Sequence, residues 1–279
     1  MILQCSPKTF HQEEGSMAYE TILLDEKETV VHLTLNRPER LNAISPKLLQ
    51  ELSSALDEVS RMAKARVVIL SGAGRAFSSG TDLRALAGEG LERLPSAFRY
   101  QLKMMQETLT RITTLEKPVL AKVHGYALGA AMELALACDF RISTEDARWG
   151  LPEVLYSIVP DLGGTQRLVR LVGVGKAKEL VMLGRTIDGA EAQRLGIVNR
   201  AVSPERLDEE VDAWVEEILR LPPLGVGLAK RTVDSAADSS IQTSLEFTAQ
   251  VQGALIWTKD FSEAVMAKLQ KREPVFMGK

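Results

Sequence analysis

The sequence predicts an α/β fold, on three observations. Short, wholly apolar runs such as Val67-Val68-Ile69-Leu70 have the length and composition of strands buried on both faces. Segments with apolar residues at helical spacing separate these runs, so strand and helix alternate as crossover units do. After Ile197–Val202 the strand signals stop and the rest reads as helical through Gln270, with Pro222-Pro223 the best composition boundary. The chain therefore divides near Arg200 into a strand-and-helix core, residues 19–200, and a helical C-terminal region, residues 201–279.

Patterned sequence begins at Met17-Ala18-Tyr19. Residues 1–18 form an extension expected to be disordered, since Met1–Ser16 has no basic stretch followed by an apolar core. Tyr19–Asp25 and Thr29–Asn36 read as a hairpin around Glu26-Lys27-Glu28, with Val31, Leu33 and Leu35 alternating with His32 and Thr34. His32 then belongs to a strand's polar face. Ser45 caps a helix with Pro46 in its first turn, and Leu49, Leu52, Leu56 and Val59 form its apolar stripe, ending near Lys64. Val67–Ser71 is the next strand. The polar, glycine-bearing segment Ala85–Leu94 is expected to be a mobile lid.

Phe98, Leu102, Met105, Leu109 and Ile112 follow at spacings of four and three. Such a stripe suits either a ligand or a core, and core packing is expected. Pro118 opens the strand Val119–Val123. Gly125 and Gly129 bracket Tyr126-Ala127-Leu128, read as a turn feeding a helix that starts near Gly129 or Ala130. Phe140–Ser143 is another short strand, and Gly163-Gly164 breaks the chain before a short helix, Thr165–Val172. Asp188-Gly189-Ala190-Glu191 starts a helix that Gly196 stops; Ile197–Val202 is the last strand. Glu205–Leu221 is helical, and further helices run through Ser235, Trp257 and Gln270.

Composition narrows the function classes. The 279 residues are 45% apolar and 25% charged, enough for a sizeable core. Net charge is −3, so no basic excess argues for nucleic acid. Two cysteines, Cys5 and Cys138, give no disulfide framework and point to a reducing cytoplasm. Cys138 reads as core filler. His11, His32 and His124 lack metal-ligand spacing, and no metal is expected. No uncharged apolar stretch is long enough to span a bilayer. There is no Rossmann fingerprint, Walker loop or internal repeat.

The chemistry concentrates between Gly125 and Asp161. Leu128–Cys138 is apolar and small except for Glu133. A carboxylate there is either a paired structural acid or an acid whose burial raises its pKa toward acid–base work. Ala130, one helical turn before it, offers an unpartnered N–H at the positive end of the helix, where a developing oxyanion could sit. A second acid, Glu153, lies in Trp149-Gly150-Leu151-Pro152-Glu153, and a third, Asp161, in Pro160-Asp161-Leu162-Gly163-Gly164. Upstream, Ala76-Phe77-Ser78-Ser79-Gly80-Thr81-Asp82-Leu83 forms a second small-residue loop able to present an N–H. Two such loops with acids suggest enolate chemistry.

These blocks resemble the enoyl-CoA hydratase/isomerase (crotonase) superfamily. AFSSGTDL resembles its first oxyanion loop, GYALGAAMELALACD its second loop and first acid, and LPEV with PDLGGTQRL its second acid and following turn. Asn36-Arg37-Pro38 with Leu41-Asn42-Ala43 resembles its N-terminal signature, and the likeness runs from Tyr19 to Phe276. It implies a crotonase-like spiral of ββα units, with the helical C-terminal region closing the site and building a homo-oligomer, a trimer or dimer of trimers. It implies an acyl-CoA thioester as substrate, with coenzyme A part of that substrate and no further cofactor.

By the same resemblance, Glu133 and Glu153 divide the proton work and the N–H groups of Ser79 and Ala130 form the oxyanion hole. Substrate contacts are expected at Ala76, Phe77, Ser79, Gly80, Thr81, Asp82, Leu83, Gly129 and Lys271. Alanine stands at 130, where the family often has glycine. Lys268 stands where an aromatic often packs on adenine. Asp161 stands where many hydratases have glycine; it resembles the dienoyl-CoA isomerases, and also the aryl-CoA dehalogenases, where it is a nucleophile but which generally lack the counterpart of Glu153; otherwise it is a turn residue capping the helix at Thr165. The Ser79 hydroxyl has no partnering base that would mark a hydrolase nucleophile. The expected activity is enoyl-CoA hydration. Dienoyl-CoA isomerisation through Glu133, Glu153 and Asp161 is the alternative, and a non-catalytic acyl-CoA- or RNA-binding member a further one.

Overall fold

The computed structural model describes residues 19–84 and 94–279. The expected N-terminal extension, and the expected lid except for Leu94, lie outside the described residues. The elements are β1 (Ile22–Lys27), β2 (Val30–Leu35), α1 (Pro46–Arg61), β3 (Val67–Gly72), α2 (Pro95–Thr114), β4 (Val119–Val123), β5 (Tyr126–Leu128) and α3 (Ala130–Ala137). Then come β6 (Phe140–Thr144), β7 (Arg148–Gly150), α4 (Gly164–Met182), β8 (Thr186–Asp188), α5 (Gly189–Arg194) and β9 (Arg200–Val202). Four helices end the chain: α6 (Leu207–Leu219), α7 (Pro223–Asp238), α8 (Ile241–Leu255) and α9 (Lys259–Gln270).

The strands form a six-stranded sheet, β1-β2-β3-β4-β6-β9, and a three-stranded sheet, β5-β7-β8. Only the first pair of the main sheet is antiparallel. β4-β5-α3 and β6-β7-α4 are successive ββα units, each giving one strand to either sheet. β3 explains the main sheet's burial. Val68 and Leu70 point into the larger core with α1, α2 and α3, while Val67 and Ile69 point into a second core with Val211, Val215 and Ile218 of α6. Each such side chain contributes about 1.5–3 kcal/mol of transfer energy, so β3 cannot slip by one residue without inverting both cores.

Ser45 caps α1 as its sequence predicts, accepting the Leu48 N–H, with Pro46 in the first turn. Asp188 likewise caps α5 through the Glu191 N–H. Several boundaries differ. The hairpin turns at Glu28-Thr29, one pair later than expected, with Glu28 in left-handed backbone. Tyr126–Leu128, expected as a turn, is a strand, and the short strands at Arg148 and Thr186 gave no signal at all. Three residues cannot display a period. The short helix expected at Thr165–Val172 continues to Met182 across a break at Gly173. Val202, beyond Arg200, still pairs with Thr144 in the main sheet.

Candidate active site

One end of α3 makes the site. Gly129 is its N-cap, and no side chain satisfies the first N–H groups. Glu133, in the first turn, is 1% exposed. Its Oε2 accepts the N–H of Leu162 at 2.8 Å and that of Gly164 at 2.6 Å. Both donors belong to the turn that opens α4. Glu133 thus does what the sequence offered to Asp161: the N-cap of α4 is Gly163, which has no side chain to cap with, and Glu133 takes the Gly164 N–H instead. The capping reading of Asp161 is corrected. A Cβ on Gly164 would lie 2.6 Å from Glu133 Cγ, so glycine lets the turn close over the acid.

Glu153 comes from a 3₁₀ turn, Pro152–Tyr156, that follows β7. Its Oε2 is buried and accepts from no protein group among the described residues. Asp161 sits at the rim, its carbonyl held by Gln106 Nε2 of α2 at 2.7 Å. Burial is the main force on all three acids. It pushes Glu133 up to about 7, against the pull of its two N–H donors, and the charges of Glu153 and Asp161 push the same way. Burial and the Asp161 charge push Glu153 up to about 7. The Asp161 carboxyl is raised by partial burial. Like charges this near one another cannot all ionise cheaply.

Glu133, Glu153 and Asp161 line one cavity of about 90 Å³ with Thr81, Asp82 and Ala130. Its apolar wall is Ile44, Leu49, Phe98, Leu102, Met105, Ile158, Val159 and Leu162. The stripe expected to be core packing is therefore split. Leu109 and Ile112 are core, Phe98 lines the cavity, and Leu102 and Met105 line it while packing against the core. A larger cavity, about 700 Å³, lies at the other end of the main sheet, lined by Thr29, Arg66 and Lys117. Three of its cations are engaged: Lys117 holds the Val59, Ser60 and Met62 carbonyls that end α1, Arg111 pairs with Asp57, and Arg66 binds the Leu221 carbonyl. It contains no comparable set of acids.

The first loop needs a correction. The Ser79 N–H, expected to face an oxyanion, donates instead to the Leu41 carbonyl at 2.9 Å, and Ser79 does not line the cavity. The Gly80 N–H turns to Ser78 Oγ. Thr81 lines the cavity, and its bridge to Ile44 uses the flanking Gly80 carbonyl and Asp82 N–H rather than its own N–H. Of the expected contacts, only Thr81 and Asp82 reach the cavity. Ala76 and Phe77 are fully buried, with Phe77 in the main core. Gly80 packs on the second sheet, where a Cβ would lie 2.3 Å from the Leu128 carbonyl oxygen. Gly129 and Leu83 do not line the cavity, although Ala130 beside Gly129 does. Lys271 is the exposed, left-handed C-cap of α9 and does not reach it.

Sequence reasoning missed the Leu162 and Gly164 N–H groups and Gln106. Backbone donors leave no residue-type signal. Among the described residues, no helix is long and apolar enough to cross a membrane, and no group of three or more His, Cys, Asp or Glu is placed to hold a metal ion.

Comparison with known proteins places the chain in a family. The enoyl-CoA hydratase/isomerase family model matches residues 25–279. A crotonyl-CoA hydratase of Syntrophomonas wolfei is 37% identical over 264 residues, covering 94% of this chain and 100% of that one. A peroxisomal Δ(3,5)-Δ(2,4)-dienoyl-CoA isomerase of Arabidopsis thaliana is 36% identical over 271 residues, covering 93% and 98%. The crystal structure of an enoyl-CoA hydratase from Bacillus anthracis superposes with a TM-score of 0.87 at 39% identity, covering 93% of this chain and 100% of that one.

Proposed function

The chain belongs to the enoyl-CoA hydratase/isomerase family, and from the placement of its acids we infer that it is an enoyl-CoA hydratase. It adds water across a 2-enoyl-CoA to give the 3-hydroxyacyl-CoA. The observation that carries this reading is the facing of two raised acids, Glu133 and Glu153, in one cavity with the first N–H of α3. With both values near 7, the pair holds one proton between two carboxyls at neutral pH.

The division of labour follows from the hydrogen bonds. Two N–H donors favour the ionised form of Glu133, so it is the base. Oε2 of Glu153 accepts from no protein group among the described residues, and a single backbone bond favours its charge against two for Glu133, so Glu153 keeps the proton and is the acid. Glu133 takes a proton from water as the oxygen bonds to the β-carbon. The alkene electron pair moves toward the α-carbon and the thioester oxygen. Glu153 delivers its proton to the α-carbon, and the enolate collapses. The N–H groups of Thr81 and Ala130 stabilise the thioester oxygen meanwhile, and losing one such donor typically costs about 3–4 kcal/mol. The apolar wall from Phe98 to Met105 receives the acyl chain.

Asp161 supports a second reading, dienoyl-CoA isomerisation. A third carboxyl lining the cavity suits moving a proton along a conjugated chain better than sharing space with water. An absorbance assay with short 2-enoyl-CoA and 3,5-dienoyl-CoA thioesters separates the two. Hydration predicts turnover of the enoyl ester, with Asp161→Asn changing it by less than about tenfold, roughly 1.4 kcal/mol. Isomerisation predicts turnover of the dienoyl ester that Asp161→Asn abolishes. Three acids in one cavity weigh against a merely binding role. The free, buried Cys138 thiol supports a reducing compartment such as the cytoplasm. The helical region 201–279 is proposed to close the site and to build a trimer or dimer of trimers.

A further inference from the structure

The signature Asn36-Arg37-Pro38…Leu41-Asn42-Ala43 touches none of the three acids, yet its hydrogen bonds hold the loop that reaches their cavity. Asn42 is fully buried. Its Nδ2 donates to the carbonyls of Ala73 and Ala76, both at 2.8 Å, and its Oδ1 accepts the Arg37 N–H at 2.8 Å. Its own carbonyl accepts from Ser78 Oγ at 2.8 Å. The contacts continue residue by residue. The Leu41 carbonyl takes the Ser79 N–H, the Ile44 N–H gives to the Gly80 carbonyl, and the Asp82 N–H gives to the Ile44 carbonyl. Arg37 closes the far end, with Nη1 on the Ala43 carbonyl at 2.6 Å and Nη2 on Asp82 Oδ2 at 2.9 Å.

This zipper is held against a backbone preference. Leu41 and Asn42 are both left-handed, at φ 49° and 53°. Asparagine tolerates that region, but leucine does not adopt it unless its surroundings impose it. Strained backbone fixed by fully satisfied buried polar groups specifies one geometry. The geometry fixed here is that of residues 73–82, which bring Thr81 to the cavity wall.

We propose that Asn42 is a positioning residue for the oxyanion hole: it clamps the loop that aims the Thr81 N–H, with Arg37 locking the same loop through Asp82. The proposal rests on the hydratase reading, because it presumes a thioester oxygen at Thr81 and Ala130. The clamp acts on charge developing in the reaction and not on affinity for the resting ester.

The test is Asn42→Gly in the full chain, which keeps the left-handed backbone and removes the three side-chain bonds. Its probe is a 4-dimethylaminocinnamoyl-CoA, whose absorption moves to the red when its carbonyl is polarised. The wild type should bind it with a red shift. Asn42→Gly should bind it within about threefold of the wild type, lose most of the shift, and lose about tenfold to a hundredfold in kcat on an enoyl-CoA with KM little changed. Assays are run well below the variant's own melting temperature, so a purely structural role would leave shift and kcat alone. A shift and kcat that survive Asn42→Gly would overturn the clamp and leave the hydratase reading standing. If the wild type binds without a shift, the oxyanion assignment falls and the clamp with it. Should Asn42→Gly not fold, Arg37→Met takes the same measurements, with a smaller loss of both shift and kcat expected and no loss of either overturning the proposal.

Discussion

At the scale of single residues, Glu133 and Glu153 act on one proton inventory. Each is held near 7 mainly by burial, and neither can finish the reaction alone. Glu133→Gln and Glu153→Gln should each fold and bind acyl-CoA yet lose orders of magnitude in kcat. Because the two act as a unit, the double variant should be scarcely slower than either single one; multiplicative losses in a steady-state comparison would separate their roles. The raised value of Glu133 also links pH to stability. An acid whose pKa rises from 4.5 to about 7 on folding binds more protons folded than unfolded in that window. Stability is therefore highest below 4.5 for this group, falls as pH climbs toward 7, and levels off above, a loss of about 3 kcal/mol. Glu133→Gln keeps an acceptor for Leu162 and Gly164 without the charge. It should melt higher than the wild type at pH 8 and lose that advantage at pH 4, as calorimetry would record.

At the scale of elements, the site depends on how α3 meets α4. The turn that opens α4 lies over Glu133 with no room for a side chain at Gly164, where a Cβ would press on Glu133 Cγ at 2.6 Å. Gly164→Ala must move either the turn or the acid. Both responses break the bonds from Leu162 and Gly164, so kcat should fall at least about tenfold even where circular dichroism finds the fold intact. The same substitution at Gly173, where a Cβ meets nothing within 4 Å, carries only a backbone cost, since its φ of 73° is left-handed. Its kcat should stay near that of the wild type while its melting temperature drops.

At the scale of the whole molecule, the C-terminal helices leave much apolar surface uncovered. Trp257 is 88% exposed, Ile241 83% and Leu269 74%, far more than scattered surface residues require. The wall behind the site is similar, with Leu155, Tyr156 and Val159 exposed. The proposed homo-oligomer would bury these faces and account for both. Light scattering at micromolar concentration should return three or six times the chain mass; a monomer would refute the oligomer. Removing the chain from Pro222 onward should cause aggregation rather than yield a soluble core.

What the sequence determined by itself was whatever is written locally. Val67–Leu70 is a buried strand because four apolar side chains in a row fit no solvated face. Ser45-Pro46 and Asp188-Gly189 start helices because each cap bonds an N–H three residues on. Glu133 stood out because a carboxylate in an apolar run must have a reason to be there. Tertiary structure alone decided which atoms face one another. Ser79 and Thr81 look alike as N–H donors in the chain, but the Leu41 carbonyl, distant in sequence, takes the first and leaves the second at the cavity. The N–H that opens α4 is taken by Glu133 rather than by nearby Asp161. Phe98 and Ile112 share one stripe, yet the first lines the cavity of the three acids and the second the main core. A hydrogen bond or a cavity wall is set by the approach of residues far apart in the chain, and no local pattern carries that distance.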